Sequence, residues 1–463
     1  MTWASTWQDP FLAYLQSFQD LIGDKRTADT MAETIKGIIA SGGLICEQIA
    51  NSSPLLGAVT HGARRIRRFV KGETTQRSPQ LDAKHLTERL RQRGLDYLLE
   101  EHPAELWLIL DNSALRKPYA EEMPALMQVK NLNGELVPGY QTSNVLGIAP
   151  KRRALLYHHL FSSQADDFLS QPLELQKGIT LVHQALERQA HQAIISWIMD
   201  SEMDDEAIWR TIWEQKAHLV CRLKHFDRLV EFQDQSGAWQ EGNIEQAREQ
   251  LGLMTKMKTR MKACLGRQKR PKMQPVDVEI RACALRLTYD QNVRRPGPEQ
   301  LIEKEVWLVE VQLPDTKLKP WLILTDWPVV GPADARRIFL MYRQRWAVED
   351  SFKFTKECLG WEEVQLLDLE GIRTLVALAW VAAGFLYELG VTLDWPEVQL
   401  LARLGGWMPR KDRPPGKIVI TRGLRRLLES ITTQAFLDGY IAEHGALPPR
   451  IAAIMGLPPV ENE

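Results

Sequence analysis

The sequence predicts an α/β core framed by helical regions. Three observations carry this expectation. Short apolar runs of strand length recur between stretches of helical period. Two of these runs, LWLILD (106–111) and IISWIMD (194–200), end in an aspartate. The first 85 residues and most of the chain after 360 follow a helical pattern instead. The 463 residues are 44% apolar and 25% charged, enough for two to four domains with a sizeable core. The formal net charge of −1 does not by itself point to nucleic acid, but the charge is unevenly distributed.

Residues 1–85 are expected to form a helical N-terminal domain. Trp3, Trp7, Phe11, Tyr14, Leu15 and Phe18 recur at helical spacing, and two further helical stretches are separated by Ser41-Gly42-Gly43. Arg64, Arg65, Arg67, Arg68 and Lys71 then fall within eight residues. This is the composition of a helix-turn-helix-like module with a basic third helix, so Arg64, Arg67 and Arg68 are candidate DNA contacts.

Residues 100–225 read as the first part of the core. The apolar runs at 106–111 and 141–163 are strands, a helix is expected near 168–192, and strands follow at 194–200 and 218–225. Residues 307–392 read as its second part, with strands at 307–313 and 321–329. Between them, 226–306 is expected to be a β-rich, basic insertion. Residues 256–295 hold twelve Lys/Arg, among them Lys256, Lys258 and Arg260, against three acids, which suits phosphate binding. The apolar run 375–387 is too short to span a bilayer and reads as a buried helix, and residues 393–463 as a helical region suited to dimerisation. The five cysteines are far apart without a CxxC pair, which fits a reducing compartment rather than a disulfide framework or zinc ribbon. The N-terminus lacks the basic and apolar segments of a signal peptide.

The chemistry-bearing segment is RIFLMYRQRWAVEDSFKFTKECLG (337–360). On one continuous helix, Tyr342, Arg345, Glu349 and Lys356 fall within roughly 60° of one another along roughly 21 Å of axis. A carboxylate flanked by an aromatic ring and two cations suits a metal ion held against a phosphodiester. Asp111 and Asp200, at the ends of buried-looking strands, would complete a set of three acids from separate segments. A solvated helix face and turn-forming aspartates are the plainer alternatives. Glu202, Asp204 and Asp205 suit helix capping. His158 and His159 have no partner at metal spacing. Trp346 suits either core packing or stacking on a base.

The Tyr-Arg-Glu-Lys pattern resembles the signature of the IS4-type DDE transposases, the group that includes the Tn5 transposase. LDNSALRKP resembles the family's first-aspartate segment, with Ser113 in place of Thr. WIMDSEMDDEAIW resembles the second, with Ser201 in place of Arg. VCRLKHFDR (220–228) is similar to the basic strand that follows and nominates Arg222, Lys224 and Arg228 as DNA contacts. The resemblance spans roughly 100–390 and is strongest at 321–390.

The resemblance implies an RNase H-like core. Asp111, Asp200 and Glu349 would be catalytic and hold two Mg²⁺ ions, for which Mn²⁺ can substitute. Tyr342, Arg345 and Lys356 would lie on DNA. It further implies a cytoplasmic, nucleoid-associated enzyme, acting as a homodimer on double-stranded DNA, with no membrane partner. It would bind the terminal inverted repeats of its element and cleave through hairpin ends. It would then join the 3′-OH to target DNA. Two other readings compete. A non-catalytic DNA-binding relative would be expected to have lost an acid. A glycoside hydrolase with two carboxylates leaves the basic segment without a role.

Overall fold

The computed structural model describes residues 3–456 except 20, 23, 54–57, 72–81, 132, 190, 235, 266–270, 288–303, 409 and 411–413; the side chains of 3–9 and 19 also lie outside the description. Trp3 and Trp7 of the expected apolar face, and Arg267, Lys269, Arg270, Arg294 and Arg295 of the basic segment, therefore fall outside it.

The N-terminal region is helical, as expected: α1 (Trp3–Gln19), α2 (Lys25–Ser41), α3 (Cys46–Asn51), α4 (Val59–Val70) and α5 (Ala83–Leu99). Asp24 and Asp82 start α2 and α5 by accepting hydrogen bonds from the Thr27 and His85 amides. These helices share a core with α11 (Leu369–Thr392): the Tyr14 hydroxyl donates to the Val381 carbonyl at 2.9 Å, and Phe11 meets Phe385 edge-on at 5.2 Å. Among the described residues α11 alone is long and apolar enough to cross a membrane, and 78% of its apolar window is buried within the fold.

Twelve strands among the described residues form one mixed sheet. The first part of the core supplies β1 (Glu105–Arg116), β2 (Met127–Lys130), β3 (Leu136–Ala149), β4 (Arg152–Phe161), α6 (Gln171–Glu187), β5 (Ile194–Met199), α7 (Glu206–Glu214) and β6 (His218–Arg222). The basic segment supplies β7 (Leu229–Gln233), β8 (Trp239–Asn243), α8 (Ile244–Glu249), β9 (Gly252–Ala263) and β10 (Lys272–Leu287). The second part adds β11 (Lys304–Gln312), β12 (Trp321–Thr325), α9 (Pro332–Arg343) and α10 (Trp346–Leu359) before α11. The strand order is β2-β3-β1-β5-β6-β12-β11-β10-β7-β8, with β4 also on β3 and β9 on β10. β1, β5 and β6 are parallel to one another, and the other pairings are antiparallel. The chain is thus an α/β protein. Its basic segment is β-rich, as expected, but continues the core sheet, because β10 pairs with β11 from Glu279–Gln312 to Leu287–Lys304.

Alternate residues of the central strands enter two different apolar clusters. Ile109, Ile198, Val220 and Ile323 join the one containing α9–α11. Leu108, Leu110, Trp197, Met199, Leu219 and Leu324 join the one containing α6–α8. Because strand side chains alternate, the clusters cover opposite faces, which explains the continuous apolar runs in these strands.

Two expectations are corrected. β1 does not stop at Asp111. It runs on to Arg116 because the long β3 keeps pairing with it, Asp111 opposite Asn144 and Arg116 opposite Gly139. Only the parallel pairing with β5 ends there, at Leu110–Met199. The signature segment is also not one helix. Between α9 and α10 the Gln344, Arg345, Ala347 and Val348 amides bond to carbonyls three residues back, and this tighter winding breaks the α-helical ladder. Gly360 then ends α10 in the left-handed region at φ 58°, where a Cβ would stand 2.5 Å from the Gly43 Cα.

The C-terminal region is helical as expected, with α12 (Trp395–Leu404), α13 (Lys417–His444) and α14 (Pro449–Ile454). Ile420, Leu424 and Leu428 bury the first half of α13; its second half is largely exposed, Phe436 to 66%.

Candidate active site

Asp111, Asp200 and Arg222 form one row across the parallel strands. Leu110 pairs with Met199 and Met199 with Cys221, so each is one residue past a paired position. By alternation all three face α9 and α10, on the side of Ile109, Ile198 and Val220. Asp200 also caps the short 3₁₀ turn Ser201–Met203, accepting from the Ser201 amide at 2.7 Å.

The turn between α9 and α10 delivers Arg345 onto this row. Its Nη1 lies 3.2 Å from Asp111 Oδ2 and 3.5 Å from Asp200 Oδ2, and its Nη2 is 2.5 Å from Glu349 Oε1. One guanidinium therefore joins all three expected acids. Tyr342, one turn earlier, donates its hydroxyl to Asp200 Oδ1 at 3.4 Å. Burial pushes the Asp111 carboxyl up to about 7; Arg345 opposes the shift, and Asp200 adds to it. Burial works against the charge of Arg345, but Asp200, Tyr342, Asp111 and Glu349 outweigh it and hold the guanidinium firmly protonated. Burial, reinforced by Asp200, likewise raises the Tyr342 phenol and keeps it a donor. Glu349 is the open member of the set, its side chain 54% exposed against 11% for Asp111.

Lys356 lies further along α10. Its ammonium donates to the Ala114 carbonyl of β1 at 2.9 Å and is 3.4 Å from Glu362, which Arg116 also binds. Burial lowers its pKa, with Glu362 opposing. Lys356 and Asn112 line a cleft of about 1140 Å³ together with Arg116, Lys130, Lys224 and His225. Both carboxamide atoms of Asn112 are buried without a hydrogen-bond partner. Asn112, Arg116 and Lys130 are not among the candidates read from sequence. Arg116 was within sight in LDNSALRKP, but nothing local marks which face of the strand it takes.

The remaining candidates divide. Trp346 packs edge-on against Trp321 at 5.6 Å, so core packing is its role here. Arg222 is half-buried in the acid row, and Lys224 is exposed. Arg228 is corrected as a DNA contact. It is 6% exposed, bonded to Asp204 at 2.6 Å and Glu206 at 2.9 Å, and lies over the Trp209 ring. Asp204 also accepts the Lys224 and His225 amides, and Asp205 caps α7. Asp205 thus does the expected helix capping, whereas Asp204 instead ties the segment after β6 to Arg228. His158 is buried on Asn144 and Trp380, and His159 pairs with Glu174.

Arg64 and Arg68 on α4 are exposed, while Arg67 pairs with Glu47. Lys256, Lys258, Arg260 and Lys262 alternate along β9 and are exposed; Lys256 and Lys258 face Glu279 and Asp277. The intervening Thr255 and Thr259 point to α9 and accept from Arg336 at 3.3 Å and Arg343 at 2.9 Å.

Among the described residues, no group of three or more His, Cys, Asp or Glu side chains is disposed as it stands to hold a metal ion. The donor set nevertheless suits a hard cation. Asp111, Asp200 and Glu349 offer carboxylate oxygens around one guanidinium, and Arg222 is the other cation in the row. No protein-family model matches the chain, and no curated protein matches it.

Proposed function

We propose that the chain is a DNA transposase of the IS4-like DDE group, with an RNase H-like core that cleaves element ends and joins them to target DNA. The observation that carries this reading is the meeting of Asp111, Asp200 and Glu349 on Arg345, beside Tyr342, at the offsets of the family signature. The core reading is supported by two aspartates one step past the paired ends of adjacent parallel strands, with a helical glutamate above them.

Asp111, Asp200 and Glu349 would hold the metal ions. Bound there, Mg²⁺ or Mn²⁺ supplies Lewis acidity to phosphodiester cleavage and transfer. The chain's own residues then divide the work. Tyr342 orients the Asp200 carboxylate. Lys356 stands over the β1 backbone and lines the cleft, where it can hold a phosphate. Arg116, Lys130 and Lys224 line the cleft as further cations, opposite an acidic side that includes Glu202, Asp205 and Asp227. The alternating cations of β9 provide sequence-independent attraction for the backbone.

A non-catalytic DNA-binding relative is disfavoured by the assembly of all three acids. The test is incubation of labelled DNA carrying the sequences that flank the reading frame with the protein and Mg²⁺. Strand breaks at the element ends, absent with chelator, are expected. Binding without breakage would leave the non-catalytic reading.

A further inference from the structure

We infer that Arg345 is a built-in counter-cation that couples metal binding to DNA binding. It holds the three carboxylates in the free protein and must leave them for a DNA phosphate when metal ions enter. This rests on the reading of the site given above.

The geometry is unusual for a residue meant only to grip DNA. Both terminal nitrogens of Arg345 face acids within 3.5 Å, and the residue is 6% exposed. A divalent cation on the same oxygens would approach them to about 2.0–2.6 Å. Like charges on shared ligands repel, so metal and guanidinium cannot both keep full contact with them. The guanidinium also has somewhere better to go. Its Nε is buried without a partner, so the three-acid seat leaves one donor unused. A phosphate can take two parallel N–H bonds from one guanidinium. The residue sits where the helical ladder is already interrupted, at the start of α10. Glu349, its closest partner, is on the open side of the cluster.

The consequence is thermodynamic. Metal ions must compete with Arg345 in the free protein, and a phosphate that draws Arg345 away removes the competitor. DNA then raises metal affinity, and metal raises DNA affinity by the same factor. The free protein is held back from metal-dependent chemistry until DNA is in place.

The test measures Mn²⁺ binding without DNA by titration calorimetry, in the full chain, for wild type, Arg345→Gln and Arg345→Lys. Arg345→Gln is expected to bind Mn²⁺ about tenfold more tightly than wild type, within the usual range of such couplings. Arg345→Lys, with a cation that reaches fewer carboxylates, should fall between. It carries the comparison if Arg345→Gln does not fold. A 40-base-pair duplex at low salt should bind wild type more tightly with Mn²⁺ than with chelator, and Arg345→Gln should show a smaller gain. Equal or weaker Mn²⁺ affinity in both Arg345 variants, or an equal gain on the duplex, overturns the inference. Glu349→Gln separates this failure from failure of the site. If Mn²⁺ binding does not depend on Glu349, the transposase reading of these acids falls first.

Discussion

Asp111 and Asp200 stand side by side across two parallel strands, each one residue past the last paired positions, Leu110 and Met199. The adjacency is a property of the backbone register, so replacing either carboxylate by its amide changes charge with little change in shape. Asp111→Asn, Asp200→Asn and Glu349→Gln should each lower cleavage by more than about 100-fold, beyond the loss typical of removing a ligand's supporting partner. DNA affinity should stay within a few-fold, because cations supply it. Cleavage and gel-shift assays on the same DNA check both halves. Near wild-type cleavage by any one variant removes that residue from the site.

The β9 cations should govern the salt dependence of DNA binding. Lys256→Glu, Lys258→Glu and Arg260→Glu together should flatten the slope of log affinity against log salt by about 0.9 for each phosphate no longer neutralised. An unchanged slope would show that this face of the hairpin does not touch DNA.

Arg228 makes the opposite prediction. Removing it takes a guanidinium from the buried Asp204 and Glu206 carboxylates, so Arg228→Ala should destabilise the fold by about 3–5 kcal/mol, as for other broken buried pairs. Denaturant melts measure that loss. DNA affinity per folded molecule should hold, and a selective loss of affinity with normal stability would reverse the assignment.

Lys417 gives a pH dependence away from the acids. Its ammonium lies 3.1 Å from the centre of the Tyr387 ring. Burial pushes its pKa down to about 7, Arg153 adds to the shift, and Asp350 opposes it. Between that value and the ordinary 10.5, the unfolded chain holds a proton that the folded chain has lost. This group's contribution therefore makes stability rise with pH across the window. Lys417→Met should stabilise the protein most at and below pH 7, with the gain shrinking toward pH 10.5. Melting temperatures of both proteins over pH 6–10 test the sign, and a gain that grows with pH contradicts it.

The acids and the flanking strands were legible in sequence because strands buried on both faces are written as unbroken apolar runs, and a charge ending such a run stands out. The signature offsets were legible too, but for a reason that only half holds. Tyr342, Arg345 and Glu349 do converge, yet across a tight turn rather than along one helix face. No Pro or Gly at 344–345 announces that turn. Arg228 and the β9 lysines looked alike in composition. What separates them is tertiary: Asp204 and Glu206 lie 24 and 22 positions before Arg228, and only folding shows that they enclose it. The destination of Arg345 was likewise hidden, since Asp111 lies 234 positions away.

That long span also orders events during synthesis. Asp111 and Asp200 can be brought together once β1 and β5 have emerged, but Arg345 and Glu349 lie almost 150 residues beyond Asp200. At about 5–20 residues per second, a ribosome needs roughly 7–30 s to cover that distance. During that interval the nascent chain carries two aspartates with neither the glutamate nor its guanidinium partner. A product terminated early in the same stretch would keep the exposed cations of α4 but lack the third acid.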